Sequence, residues 1–128
     1  MVKEVIITRH KPKFHYSAGI KAGEFVFVAG TVGHENPDTG EKIIGVEAQT
    51  HQCLRNTRET LEAVGYSLSD VVSTTVYLPN RDDFLKMNEV YKGYFPEDPP
   101  GRATIFAELV SPEMLVEIQC VAWKPSNG

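Results

Sequence analysis

The sequence predicts an α+β domain: one β-sheet, covered on one face by two helices and on the other by a second copy of the chain. Three observations lead there. Strand-like and helix-like segments run in the order strands, helix, strand, helix, strands over 128 residues, a length that suits a single domain spanning 1–128. Each helical segment carries one apolar stripe, so each has one face to bury. The strands, however, are apolar on both sides, and two helices can cover only one side of a sheet.

"EVIIT" (4–8) reads as a short strand and "EFVFVAG" (24–30) as a stronger one. In the second, Phe25, Phe27 and Ala29 alternate with Val26 and Val28. "GHENPDTGEKIIG" (33–45) is punctuated by Asn-Pro and Asp-Thr-Gly and reads as a hairpin or surface loop. The spacing predicts a helix over 45–67, where Val46, Thr50, Cys53, Thr57, Leu61 and Val64 recur at three- and four-residue steps and Gly65 stands at a C-terminal cap. "DVVSTTVYLPN" (70–80) is β-branched and stopped by Pro-Asn. A second helix follows over 82–95, with Asp82 and Asp83 at its positive end and a stripe of Phe84, Met87, Tyr91 and Tyr94. "RATIFAEL" (102–109) and "MLVEIQCVAW" (114–123) read as two strands of a hairpin turning at "VSPE".

In that last strand Val116, Ile118, Cys120 and Ala122 alternate with Leu115, Glu117, Gln119, Val121 and Trp123, so both sets carry apolar bulk. The chain has no further element to cover the second face, and a copy of itself is the economical answer.

Composition removes several function classes. A net charge of −4 without a basic tract makes nucleic acid an improbable partner. No apolar run approaches a membrane span, and "MVKEVIITRH" lacks the features of a signal peptide. Two cysteines, Cys53 and Cys120, indicate neither a disulfide scaffold nor a zinc site, and the expected setting is the cytoplasm with free thiols. Both lie on core stripes, where a thiol is a small hydrophobe. His10, His15, His34 and His51 show no metal-ligand spacing. No phosphate loop or nucleophile elbow is present, and no metal or cofactor is expected.

Two residues hold more promise. Arg102 stands directly after the stiff "PPG" at a strand threshold. It reads either as a solvated or ion-paired arginine, or as a guanidinium fork for a substrate carboxylate. Glu117, flanked by Leu115 and Val121, reads either as a surface carboxylate or as one desolvated at a subunit interface and tuned for proton transfer. In a hairpin with Ile105 opposite Glu117, Arg102 and Glu117 fall on opposite faces. They meet only through a bulge or between neighbouring subunits, and the second is the expectation.

"PPGRAT" followed by "LVSPEMLVEIQCVAW", together with "FVFVAGTVG", "NPDTGE", "QTHQCLRNTRETLEAVGYSLSDVVSTTVYL" and "FLKMNEVYKGYF", resembles the RidA (YjgF) family of enamine/imine deaminases over nearly the whole chain. The resemblance implies a chorismate-mutase-like fold, a ferredoxin-like sandwich assembled as a homotrimer through the open sheet faces, with ligand clefts between subunits. It implies hydrolysis of 2-aminoacrylate and 2-iminopropanoate to pyruvate and ammonia, without a cofactor. Arg102 then holds the position of the catalytic arginine and Glu117 that of the water-positioning acid. Gly30 offers backbone hydrogen bonds, and Tyr16, Asn88 and Thr104 line the pocket. The sequence departs from the family pattern at Phe14 and His15, which precede Tyr16 in place of Gly-Pro. It departs again at Thr104, where a cysteine is common, and at Ala29, where a serine is common. The alternatives to a deaminase are a carboxylate-binding or regulatory protein using the same cleft without turnover, and an RNA-acting or chaperone-like role.

Overall fold

A computed structural model describes residues 2–126. The elements are β1 (Glu4–Val5), β2 (Gly19–Ala22), β3 (Phe25–Val32), α1 (Val46–Glu62), β4 (Val71–Leu78), α2 (Phe84–Tyr94), β5 (Gly101–Phe106) and β6 (Glu117–Trp123). Short 3-10 turns at Leu68–Asp70 and Arg81–Asp83 lead into β4 and α2. The strand order is β1-β2-β3-β6-β4-β5, an α+β arrangement with one mixed sheet and two helices.

The last strand of the chain is central. β6 pairs antiparallel with β3 on one side and β4 on the other, and β5 runs parallel to β4 at the sheet edge. The hairpin expected at "VSPE" is therefore absent. A parallel neighbour needs a crossover between the strands, and α2 supplies it between β4 and β5. The segment 107–116 then returns the chain so that β6 enters between β3 and β4. The sequence reading also passed over β2, which forms a tight hairpin with β3 through Gly23, at φ +60°. The first strand is shorter than expected, ending at Val5 instead of residue 8.

The helix stripes behave as their spacing requires. In α1, Val46, Thr50, Cys53, Thr57 and Leu61 are buried, joined by Gln49, Leu54 and Thr60. The helix closes on a Schellman motif: the Tyr66 N–H donates to the Leu61 carbonyl and the Gly65 N–H to that of Glu62, with Gly65 at φ +79°. In α2, Met87 and Tyr91 are buried, and the Tyr91 hydroxyl shares a 2.7 Å hydrogen bond with Thr74 of β4. Gln49 fastens two loops at once. Its amide nitrogen donates to the carbonyls of Ile43 (2.9 Å) and Glu113 (3.0 Å), and its oxygen accepts from the Leu115 N–H (2.8 Å).

Val26, Val28, Val76, Ile118, Cys120 and Ala122 face the helices and are buried. The opposite face is open and apolar: Phe25 is 44% exposed, Phe27 47%, Ile105 44% and Trp123 40%. Phe25 lies opposite Trp123, and Phe27 opposite Val121.

Close approach of α1 to the end of β3 depends on Gly33. A Cβ there would overlap the Gln49 carbonyl and the Cys53 amide, both main-chain atoms that cannot move aside. Gly33→Ala is expected to destabilise the fold by about 1–3 kcal/mol, the cost of overpacking. Urea unfolding followed by circular dichroism measures it.

Candidate active site

Arg102 lies on edge strand β5 opposite Thr74, which in turn lies opposite Cys120, so its side chain is on the helix-covered face. Its guanidinium carbon sits 4.7 Å from the Tyr91 ring centre and 5.8 Å from that of Phe84. The two rings belong to one stripe of α2, with Asn88 between them at helical spacing. Thr104 stands two residues along β5, opposite Val76, on the same face. Among the described residues the guanidinium has no carboxylate partner and makes no side-chain hydrogen bond to protein. Aromatic planes hold the fork while its N–H groups stay available.

Glu117, Gly30 and Tyr16 form a second group elsewhere. Between Val28 and Thr31 the register of β3 against β6 slips by one residue: Val28 faces Cys120, but Thr31 faces Ile118. The extra residue makes a β-bulge at Ala29–Gly30, which ends the simple alternation read over 24–30. A Cβ at position 30 would overlap the Glu117 carboxylate, so the absence of a side chain there is what seats that acid against the strand. Glu117 also lies opposite Tyr77 on the open face. Burial raises the carboxyl above its ordinary value of 4.5.

Tyr16 and Gly30 both line a cavity of about 180 Å³ between β3, α1 and the segment 8–16, with Asn56, Glu59 and His10 in its walls. Sequence reasoning did not single out Asn56 or Glu59. The available signal was their spacing with Thr60 along one flank of α1.

The six residues named from the sequence thus divide into Arg102, Asn88 and Thr104 on one side and Glu117, Gly30 and Tyr16 on the other. Ile105, Tyr77 and Glu117 lie in one row across β5, β4 and β6, and the registers from Ser73 to Tyr77 are regular on both sides. No bulge therefore intervenes between Arg102 and Glu117, and they occupy opposite faces of one sheet. Three strand spacings, about 14 Å, separate β5 from β3.

Neither thiol is a nucleophile candidate. Cys53 and Cys120 are free and buried. Burial pushes Cys120 up to about 12 and Cys53 higher still, so both remain protonated. Among the described residues no cluster of His, Cys, Asp and Glu could hold a metal ion, and no helix is long and apolar enough to cross a membrane.

The profile of the family described as endoribonuclease L-PSP matches residues 6–124. The chain belongs to that family. A RutC family protein of Pyrococcus horikoshii is 46% identical over 126 residues, covering 96% of this chain and 99% of its own. The 2-iminobutanoate/2-iminopropanoate deaminase of Mus musculus is 33% identical over 125 residues, covering 95% and 92%. Among solved structures, Escherichia coli TdcF with bound serine matches with a TM-score of 0.89 at 28% identity, over 95% of this chain and 99% of that one. The resemblance to RidA and YjgF proteins drawn from the tail motif holds, and so does the fold it implied.

The raised Glu117 carboxyl has a consequence for stability. The folded chain holds this proton more tightly than the unfolded chain, so ionisation works against the fold. That cost is absent below pH 4.5, where both states are protonated, and grows as pH rises through the folded value. Glu117→Gln is expected to raise the thermal midpoint at pH 7, with the gain vanishing below about pH 4.5. Scanning calorimetry across pH measures it.

Proposed function

We propose that this protein hydrolyses reactive 2-imino acids and their enamine tautomers to 2-oxo acids and ammonia, in a cleft formed between subunits of a homotrimer. The observation that carries the reading is the separation of the two groups. Arg102 presents a free guanidinium fork on one sheet face, and Glu117 a desolvated carboxylate against Gly30 on the other. A substrate of three or four carbons cannot touch both within one chain. The exposed Phe25, Phe27, Ile105 and Trp123 supply the apolar face through which copies would pack, carrying the Glu117 group of one to the Arg102 group of the next.

The chemistry needs nothing more than these groups. The fork takes the substrate carboxylate bidentately, with Asn88 and Thr104 beside it, and so orients the imine carbon. The enamine tautomer first takes a proton from solvent at carbon, which gives the protonated imine, C=NH2+. Water held by Glu117 and the Gly30 main chain then attacks: a C–O bond forms, the C=N electron pair moves to nitrogen, and Glu117 receives the water proton. Returning that proton to nitrogen makes it an ammonium leaving group; the C–N bond breaks with its electron pair going to ammonia, and the hydroxyl proton passes to Glu117 as the carbonyl forms. A carboxylate whose proton affinity is raised by burial suits both halves of the exchange.

A second reading, ligand binding without turnover, draws on the E. coli relative that holds serine. It differs in tolerating loss of Glu117 far better than loss of Arg102. An RNA-directed role, which the family description suggests, is opposed by the net charge of −4.

In a competition assay, a serine or threonine dehydratase generates the imine in the presence of excess semicarbazide. The wild type is expected to suppress semicarbazone formation and Arg102→Ala to lose at least tenfold, the worth of one charged hydrogen bond of about 1.5–3 kcal/mol. No suppression by the wild type leaves binding without turnover as the reading. Reassembling Arg102→Ala with Glu117→Ala subunits is expected to restore part of the activity, since some mixed clefts join an intact fork to an intact carboxylate. No restoration rules out a shared cleft.

A further inference from the structure

We infer that Arg81 is a second anion anchor beside Arg102, and that it selects 2-imino dicarboxylic acids of four or five carbons. The carboxylate next to the imine sits on Arg102 and the distal carboxylate on Arg81. The inference rests on the proposed reading for the role of Arg102, and adds to it the substrate class.

Strand parity puts both guanidinium groups on one shelf. Arg102, Thr104 and Phe106 lie opposite Thr74, Val76 and Leu78, which are buried beneath the helices, so all of them share the helix side of the sheet. No strand lies beyond β5, and its helix side is only partly covered: Arg102 is exposed and Phe106 is 36% exposed. Arg81 stands in the 3-10 turn that leads from β4 into α2. Its guanidinium carbon lies 4.5 Å from the Phe106 ring centre, much as that of Arg102 lies against Tyr91.

The spacing suits a short diacid. Four residues of strand, about 13 Å, separate Arg102 from Phe106 along β5. Because α2 returns the chain between two parallel strands, its first turn, with Phe84, lies towards the Phe106 end of β5 and Tyr91 towards the Arg102 end. The Arg102 guanidinium lies between these two rings, 5.8 Å from the first and 4.7 Å from the second, and so reaches along the strand towards Arg81. Charge-assisted N–H···O links of about 2.8 Å at either end leave about 7 Å or less between the carboxylates, the span of an extended diacid of four or five carbons.

Charge points the same way. Asp82 and Asp83 follow Arg81 directly, yet among the described residues no carboxylate comes within ion-pair distance of its guanidinium, and none reaches Arg102. Arg81 also makes no side-chain hydrogen bond to protein. A monoacid answers one of these two cations, and a diacid answers both. The second anchor is placed before a ligand arrives. The Asn80 side chain accepts from the Asp82 N–H at 2.9 Å, and the Asn80 carbonyl from the Asp83 N–H at 3.1 Å, which fixes the turn that bears Arg81. The Ala107 N–H donates to the Leu78 carbonyl at 3.1 Å, which fixes Phe106 beneath it. A fork laid on an aromatic plane keeps its N–H groups free and has less freedom to lose on binding.

The test compares 2-oxoglutarate with 2-oxopentanoate, stable 2-oxo acids that differ in a terminal carboxylate against a methyl group, by titration calorimetry on the intact protein. The diacid is expected to bind at least fivefold more tightly. That ratio is expected to collapse towards one in Arg81→Ala, with 2-oxopentanoate bound as before, and to persist in Arg55→Ala, which removes the same charge from α1. Thermal unfolding verifies that each variant is folded. Equal affinities in the wild type, no binding of either acid, a ratio unchanged in Arg81→Ala, or an equal collapse in Arg55→Ala overturns the second anchor. In parallel, an L-glutamate oxidase and an L-amino-acid oxidase acting on norvaline supply 2-iminoglutarate and 2-iminopentanoate to the semicarbazide assay. Diacid preference in binding without hydrolysis of either imine would retire the deaminase reading and leave the Arg81 anchor standing.

Discussion

The insertion of β6 between β3 and β4 is the constraint on which the rest of the molecule depends. A strand paired on both edges has its backbone groups satisfied by two partners, and here those partners come from different halves of the chain. The registers of β3 and β4 are both set against it. Because side chains alternate with period two, the alignment of Thr74 with both Cys120 and Arg102 sends Arg102 to the helix side. The same count sends Glu117 to the open side. The division of the candidate site into two groups is thus a result of strand parity.

The bulge at Ala29–Gly30 interrupts that parity beside Glu117; a second shift, between Val71 and Ser73, lies outside the rows that join Arg102 to Glu117. An extra residue turns the main chain of β3 while keeping Thr31 on the covered face, where its carbonyl accepts from the Cys53 thiol at 3.0 Å. Glycine at position 30 then leaves room for a carboxylate that any side chain would displace. Glu117 is held close to the strand and partly removed from water, and this is the physical origin of its raised proton affinity. Local geometry, burial and acidity form one causal chain.

Opposite the bulge, the Arg102 group is built by a different means. Tyr91 is anchored to β4 by its hydrogen bond to Thr74, and Phe84 lies two turns earlier on the same stripe. A cation against these rings loses less conformational freedom when it binds an anion than a freely solvated arginine would. The stiff "PPG" approach noted in the sequence limits the backbone, and the aromatic bed limits the side chain.

Much of this was legible in the order of residues. The two helices, their buried stripes, the glycine cap at Gly65, the apolar bulk on both faces of β3 and β6, and the tail motif that carried the family resemblance all depend on residues within a few positions of one another. Short-range spacing encodes them directly. The opposite-face placement of Arg102 and Glu117 was also anticipated, although from a hairpin that does not form. Strand order, the parallel pairing of β5 with β4, the bulge at Gly30 and the cavity walled by His10 and Glu59 were decided by tertiary structure alone. Each joins segments tens of residues apart, and the choice among possible partners is made by which arrangement buries the most apolar surface with its backbone hydrogen bonds complete, a comparison that no local stretch of sequence contains.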